Sequence, residues 1–184
     1  MKGNDMSDQK VDVAIMMGSK SDLETMRPAA KVLQALGLAV EVRVLSAHRT
    51  PTETAAYVKD AGRRGAKAFI CGAGGAAHLA GAVAAHTTRP VIGVPIANGP
   101  LSGFDALLAT VQMPPGMPVA TVAVGGAENA GLLAAQIAAT ADPELANRID
   151  AERDGRRKKV LESDAEVAAQ FGSSGASGPS GQKG

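Results

Sequence analysis

Val40-Glu41-Val42-Arg43-Val44-Leu45-Ser46-Ala47-His48-Arg49-Thr50-Pro51 is the stretch that decides the fold. Its first half alternates with the period of a strand. Its end reads as a helix start: Thr50 is placed to be the N-cap, Pro51 suits the first helical position, and Glu53 has the spacing of a capping-box partner. A histidine and an arginine therefore lie on a short turn at the carboxyl end of a strand. Open α/β sheets bind their ligands at such turns.

The same strand-turn-helix unit recurs along the chain. Val11–Met17 reads as a first strand, followed by Gly18-Ser19-Lys20-Ser21-Asp22. Ser21 and Glu24 have capping-box spacing, and Leu23, Met26, Ala30 and Leu33 mark one face of a helix that stops at Gly37. The helix from Pro51 runs to about Arg64. A third strand near Ala66–Cys71 leads through Gly72-Ala73-Gly74-Gly75-Ala76-Ala77-His78 into an alanine-rich helix. The fourth strand is Pro90–Ile96, then Ala97-Asn98-Gly99-Pro100, with Ser102 and Asp105 placed to cap a helix reaching Gln112. Val119–Val124 is the fifth strand, and Ala130–Thr140 the helix after it. Asp142-Pro143-Glu144 starts a last helix, whose mixed charges over Glu152–Lys159 read as a solvated face.

Five such units predict an α/β fold: a three-layer, flavodoxin-like parallel sheet of five strands, order 2-1-3-4-5, with an extra C-terminal helix. The expected organisation is one catalytic domain over residues 11–165. Residues 1–10 are expected to be a flexible arm. Residues 172–184 contain only Gly, Ser, Ala, Pro, Gln and Lys and are expected to be a disordered tail.

Composition removes several function classes. Hydrophobic residues make up 45% of the 184, enough for a sizeable core, but aromatics only 2%, so Ala, Val, Leu, Ile and Met must build it. A net charge of +1 supplies no attraction for nucleic acid or a membrane surface. Tyr57, Phe69, Phe104 and Phe171 are too scattered to stack bases. The single cysteine, Cys71, excludes an internal disulfide and lies in an apolar run, as a small buried hydrophobe would. There is no apolar run of about 20 residues and no signal peptide, so the expected compartment is the cytoplasm.

The remaining polar turns carry the chemistry. Ser19, Ser21 and Asp22 lie at a helix start, where free N–H groups favour an anion. Asp22 could instead hold a ribose diol, and all three could simply be caps. Arg49 offers a planar fork suited to phosphate, and His48 can take or give a proton near neutral pH. A salt-bridged arginine and a surface histidine are the plain alternatives. Gly72–Ala77 matches G-x-G-x-x-A, but it follows the third strand, with no acidic residue in the next strand. A dinucleotide cofactor is therefore disfavoured. Small residues here would let a planar ligand approach the backbone. His78 is open to two readings, lining that ligand or capping its helix, and His86 reads as structural. Three dispersed histidines lack metal-ligand spacing, and neither a P-loop nor a G-x-S-x-G elbow is present. These residues point to a cofactor-free pocket for a small phosphorylated ligand.

Gly18–Asp22, Ser46–Pro51, Gly72–Leu79 and Val111-Gln112-Met113-Pro114 together resemble the bacterial 5-(carboxyamino)imidazole ribonucleotide mutase family, over about residues 11 to 160. The resemblance implies a purine-biosynthetic enzyme, an isomerase that moves a carboxylate from the exocyclic amine of an imidazole ribonucleotide to ring carbon 4. It implies no metal, ATP or biotin, transient CO2 in a closed site, and a homo-octamer. By motif, His48 would be the general acid–base. Ser19, Ser46 and Arg49 would hold phosphate, with Ser21 beside them and Asp22 on the ribose. Gly74, Gly75, His78 and Leu79 would wall the base and CO2. Two segments depart from the family: Ala80, where proline often stands, and Ala97–Pro100. A direct aminoimidazole ribonucleotide carboxylase would use much the same residues. A nucleotide-binding module without catalysis is the alternative of another class.

Overall fold

The computed structural model describes residues 9–171. The expectations for residues 1–8 and 172–184 lie outside the described residues. Five strands, β1 (Val13–Met17), β2 (Val40–Val44), β3 (Ala68–Gly74), β4 (Val91–Ile96) and β5 (Ala120–Thr121), form one parallel sheet in the order β2-β1-β3-β4-β5. The helices are α1 (Leu23–Ala35), α2 (Pro51–Arg63), α3 (Leu79–Ala84), α4 (Phe104–Val111), α5 (Ala127–Ala139) and α6 (Pro143–Phe171). The flavodoxin-like order and the extra C-terminal helix are as expected.

The alternation of each central strand divides the core in two. Val13, Ile15 and Met17 point to one face, where Met26, Ala29 and Leu33 of α1 and Ala130, Ala134 and Ala138 of α5 cover them. Ala14 and Met16 point to the other face, against Tyr57, Val58 and Ala61 of α2 and Leu79 and Val83 of α3. Both faces being covered is what a parallel sheet requires. The edge strand β2 is tied down by charge. Arg64, just after α2, donates to Glu41 of β2 at 2.6 Å and to Asp60 of α2 at 2.7 Å. That pair of bonds holds both ends of the β2–α2 unit that carries His48.

Local signals place the elements but often not the atoms that cap them. Gly37 ends α1 as expected, at φ +79°. Its N–H donates to Gln34 O, and Leu38 N–H donates to Leu33 O, the bonding of a Schellman stop. Asp142 caps α6 by accepting from Leu145 N–H at 3.0 Å. The Ser21–Glu24 capping box does not form. A 3₁₀ turn, Lys20–Asp22, intervenes and Ser19 caps it. Thr50 makes no side-chain cap bond, because its hydroxyl closes the preceding turn instead: it accepts from Ser46 N–H at 2.8 Å. Ser102 and Asp105 do not cap α4, whose N-cap is the left-handed Gly103. β5 is two residues rather than six, and α5 starts at Ala127. The last helix packs its own first turns on the domain through Leu145 and Ile149, then continues exposed to Phe171.

Small residues set the distance between α1 and α5. A Cβ on Gly131 would lie 2.5 Å from Val32 Cγ1, 3.0 Å from Ala29 O and 3.1 Å from Ala29 Cα. The obstacle is backbone, which cannot rotate away. A Cβ on Gly155 of α6 would meet nothing within 4 Å. The same substitution should therefore act with opposite signs. Gly155→Ala should stabilise by about 1 kcal/mol through helix propensity. Gly131→Ala should destabilise by about 1–3 kcal/mol through overpacking. Urea midpoints of the two variants check this, and a stabilised Gly131→Ala would contradict the packing argument.

Candidate active site

The turns after β1, β2 and β3 meet because their strands are adjacent and level. Met17 is in register with both Val44 and Gly72, so the next residues of all three chains emerge at one edge of the sheet. They enclose a cavity of about 360 Å³. That is room for a small ligand.

The first turn brings Ser19, Ser21 and Asp22. Ser19 Oγ accepts from Ser21 N–H at 3.3 Å, and the Ser21 hydroxyl lies 2.9 Å from Ser19 Oγ and 3.1 Å from Asp22 Oδ1. Asp22 is 5% exposed yet lines the cavity. The second turn is closed on itself. Ser46 O accepts from Thr50 N–H at 3.0 Å, and Ser46 Oγ accepts from Arg49 N–H at 3.2 Å. Arg49 Nη2 donates to Gly18 O at 2.8 Å, joining the first turn to the second.

The third turn is reached by a strand longer than its hydrophobic run suggests. β3 continues through Gly72 and Ala73 to Gly74, because these residues still pair with β4. Gly75 then turns at φ +60°, and Ala77 N–H donates to Gly74 O at 3.2 Å. Ala77 itself sits at φ +46°, an arrangement that costs a non-glycine residue roughly 1–3 kcal/mol and is tolerated mostly at functional sites. His78 follows. It makes no side-chain cap on α3, so the capping reading is removed. Its Nδ1 lies 2.7 Å from His48 Nε2, the rings edge to face with centroids 4.9 Å apart. The contact is a hydrogen bond whose donor and acceptor are set by the tautomers of the two rings.

Ser19, Ser21, Asp22, Ser46, His48, Arg49, Gly74, His78 and Leu79 thus line one cavity. Gly75 does not line it and makes the turn. The sequence reading missed Asn98, which follows β4 and reaches the same wall. Its signal was present: a polar side chain just past the carboxyl end of a strand. Ser19, Ser46 and Arg49 also border an adjoining depression that adds Lys20 and contains neither histidine nor Asn98. Among the described residues no group of three or more His, Cys, Asp or Glu side chains is placed to hold a metal ion.

Cys71 lies two residues before this wall but inside the core, 1% exposed. Burial pushes its thiol well up, so thiolate is scarce at neutral pH. Iodoacetamide at pH 8 should leave the native protein unlabelled over an hour and label it in denaturant. Mass spectrometry showing fast native labelling would contradict this burial.

The AIR carboxylase family matches residues 12–159. The N5-carboxyaminoimidazole ribonucleotide mutase of Bacillus subtilis (strain 168) is 53% identical over 153 residues, covering 82% of this chain and 94% of that one. The protein of that name from Brucella melitensis is 53% identical over 154 residues, covering 83% and 95%. Among solved structures, Treponema denticola PurE superposes with a TM-score of 0.77 at 29% identity, covering 84% of this chain and 97% of that one. A PurE2 variant from the same organism gives 0.79 at 28%, covering 86% and 99%.

Proposed function

Because the chain belongs to the AIR carboxylase family, we propose that it is a mutase of purine biosynthesis converting 5-(carboxyamino)imidazole ribonucleotide to 4-carboxy-5-aminoimidazole ribonucleotide. The paired histidines in a cavity shared with Arg49 and three serines carry this reading. Substrate and product are isomers, so the reaction balances without a co-reactant.

The residues divide by chemistry. Ser19, Ser46 and Arg49 take the phosphate, and the neighbouring depression with Lys20 favours an anion at that end. Ser21 lies beside them, and Asp22 accepts from the ribose hydroxyls. The imidazole then lies against Gly74, Leu79 and the histidine pair. In the first half-reaction the N–C bond of the carbamate breaks, CO2 leaves, and the nitrogen keeps the bonding pair and takes a proton. In the second, carbon 4 uses its π pair to form a bond to the CO2 carbon. Carbon 4 is then tetrahedral and still bears its hydrogen. Removing that proton restores aromaticity and replaces the one spent on nitrogen. His48 moves this proton, because an imidazole can both give and accept one near neutral pH. A small walled site limits the escape of CO2 into water.

His48→Asn preserves size but not proton transfer. Turnover should fall by about 10²–10⁴-fold with nucleotide still bound. Arg49→Lys should instead raise KM, with a smaller change in kcat, by losing the bidentate fork. Steady-state kinetics with calorimetric binding separate the two effects. Near-normal turnover by the His48 variant would remove the acid–base assignment.

A direct carboxylase is the second reading, and the description of the family itself supports it. Purified protein offered the carbamate nucleotide, or aminoimidazole nucleotide with bicarbonate, decides between them by which substrate turns over at low bicarbonate. Binding without turnover of either would mark a non-catalytic nucleotide module. A phosphorylated nucleotide substrate also supports a cytoplasmic location.

We infer further that the protein is a homo-oligomer, an octamer as the resemblance implies. Phe104, Leu108 and Val111 of α4 and Leu101 in the turn before it are exposed apolar side chains, with Phe104 62% exposed. Val160, Leu161, Val167 and Phe171 are exposed on α6. Such surfaces favour burial against other copies. Sedimentation velocity at micromolar concentration should show a single large species, and a stable monomer would count against assembly.

A further inference from the structure

Gly74 has no side chain, and the space is taken by Asn98. A Cβ built on Gly74 would overlap Asn98 Nδ2 and lie 2.8 Å from Asn98 Cγ and 3.0 Å from Asn98 Cβ. The carboxamide of Asn98 is therefore laid over the backbone of the third turn. It lines the cavity that holds His48 and His78 and is absent from the depression bordered by Ser19, Arg49 and Lys20. It is thus set beside the third turn and outside the depression that holds Lys20.

The loop that carries it is pinned at its base. Gly103, at φ +86°, lies so close to Ala97 that a Cβ there would come within 3.1 Å of Ala97 Cα and 3.2 Å of Ala97 N. Ser102 is held at φ +50° between them. Asn98 is thus presented one residue beyond a fixed point, while remaining exposed to a ligand.

We propose that Asn98 is a substrate-contacting residue whose carboxamide N–H donates to the migrating carboxyl group and keeps CO2 beside the ring between release and recapture. This rests on the mutase reading above. The chemistry favours an amide at this place. The migrating group is an anion at both ends of the reaction and neutral CO2 in between. A lysine or arginine would stabilise the two anions far more than the neutral intermediate, deepening the ground state relative to the barrier. A neutral donor binds the carboxylate more weakly and still offers a dipole to CO2. The glycine at 74 is then required by Asn98: it leaves the room the amide occupies.

The test follows two quantities from the carbamate nucleotide: turnover, and the fraction lost as free aminoimidazole nucleotide plus bicarbonate. Asn98→Ala should lower kcat about tenfold, the worth of one hydrogen bond, and raise the lost fraction severalfold, with nucleotide affinity within about twofold. Asn98→Asp has the same shape but sets an anion against the carboxylate, and should lose about tenfold more than Asn98→Ala. Packing alone would not separate these two variants. Gly74→Ala should raise the lost fraction as Asn98→Ala does, by displacing the amide. Unfolding midpoints matching wild type show that each variant is folded. Active wild type with Asn98 variants of unchanged turnover and partition would overturn the proposal alone. Equal losses for Asn98→Asp and Asn98→Ala would overturn it in favour of packing. Wild type inactive on both substrates would overturn the mutase reading and this proposal together.

Discussion

The register of β1 is the constraint on which the rest depends. Met17 is level with Val44 on one side and Gly72 on the other. A parallel ladder fixes that alignment for every residue along the strands, so three turns far apart in sequence leave the sheet at one height. A one-residue slip would turn Ile15 and Met17 to the opposite face and break both halves of the core. The energy that places the cavity-lining turns is therefore hydrophobic burial in the sheet, not any contact made by the turns themselves.

On that frame the turns need only short bonds among themselves. The second turn closes through Ser46 and Thr50, and Arg49 reaches Gly18 across the gap. The third turn accepts a left-handed alanine at residue 77. The left-handed alanine costs local free energy and is followed directly by Leu79 and Ala80, buried on the next helix. Bonds within and between the turns restrain the cavity wall without a ligand, and such restraint lowers the ordering cost of binding. The histidine pair fits the same design. Each ring is oriented by the other, and neither depends on a carboxylate.

The places where local reading failed share a cause. Thr50, Ser21 and Ser102 all carry cap-forming side chains at helix starts, and none caps as spacing predicts. Each hydroxyl had a competing partner or a competing backbone that only the folded chain supplies. Thr50 found Ser46, Ser21 was displaced by a 3₁₀ turn, and Gly103 took the start of α4 through a left-handed conformation. Strand ends failed for a related reason. Gly72–Gly74 have weak strand propensity, and only pairing to β4 extends β3 through them.

Sequence alone determined the architecture. Period-2 apolar runs alternating with helical faces leave few arrangements of a covered parallel sheet, and the polar turns at strand ends named Ser19, Ser21, Asp22, His48, Arg49 and His78 of the cavity lining, the family resemblance adding Ser46, Gly74 and Leu79. That is a matter of local pattern and burial, both legible in one dimension. Only the tertiary structure decided which of these groups touch. The bond between His48 and His78 spans thirty residues, and the fit of Asn98 over Gly74 depends on β3 and β4 being neighbours. Such contacts are set by sheet order and register acting together, and no spacing along the chain encodes them.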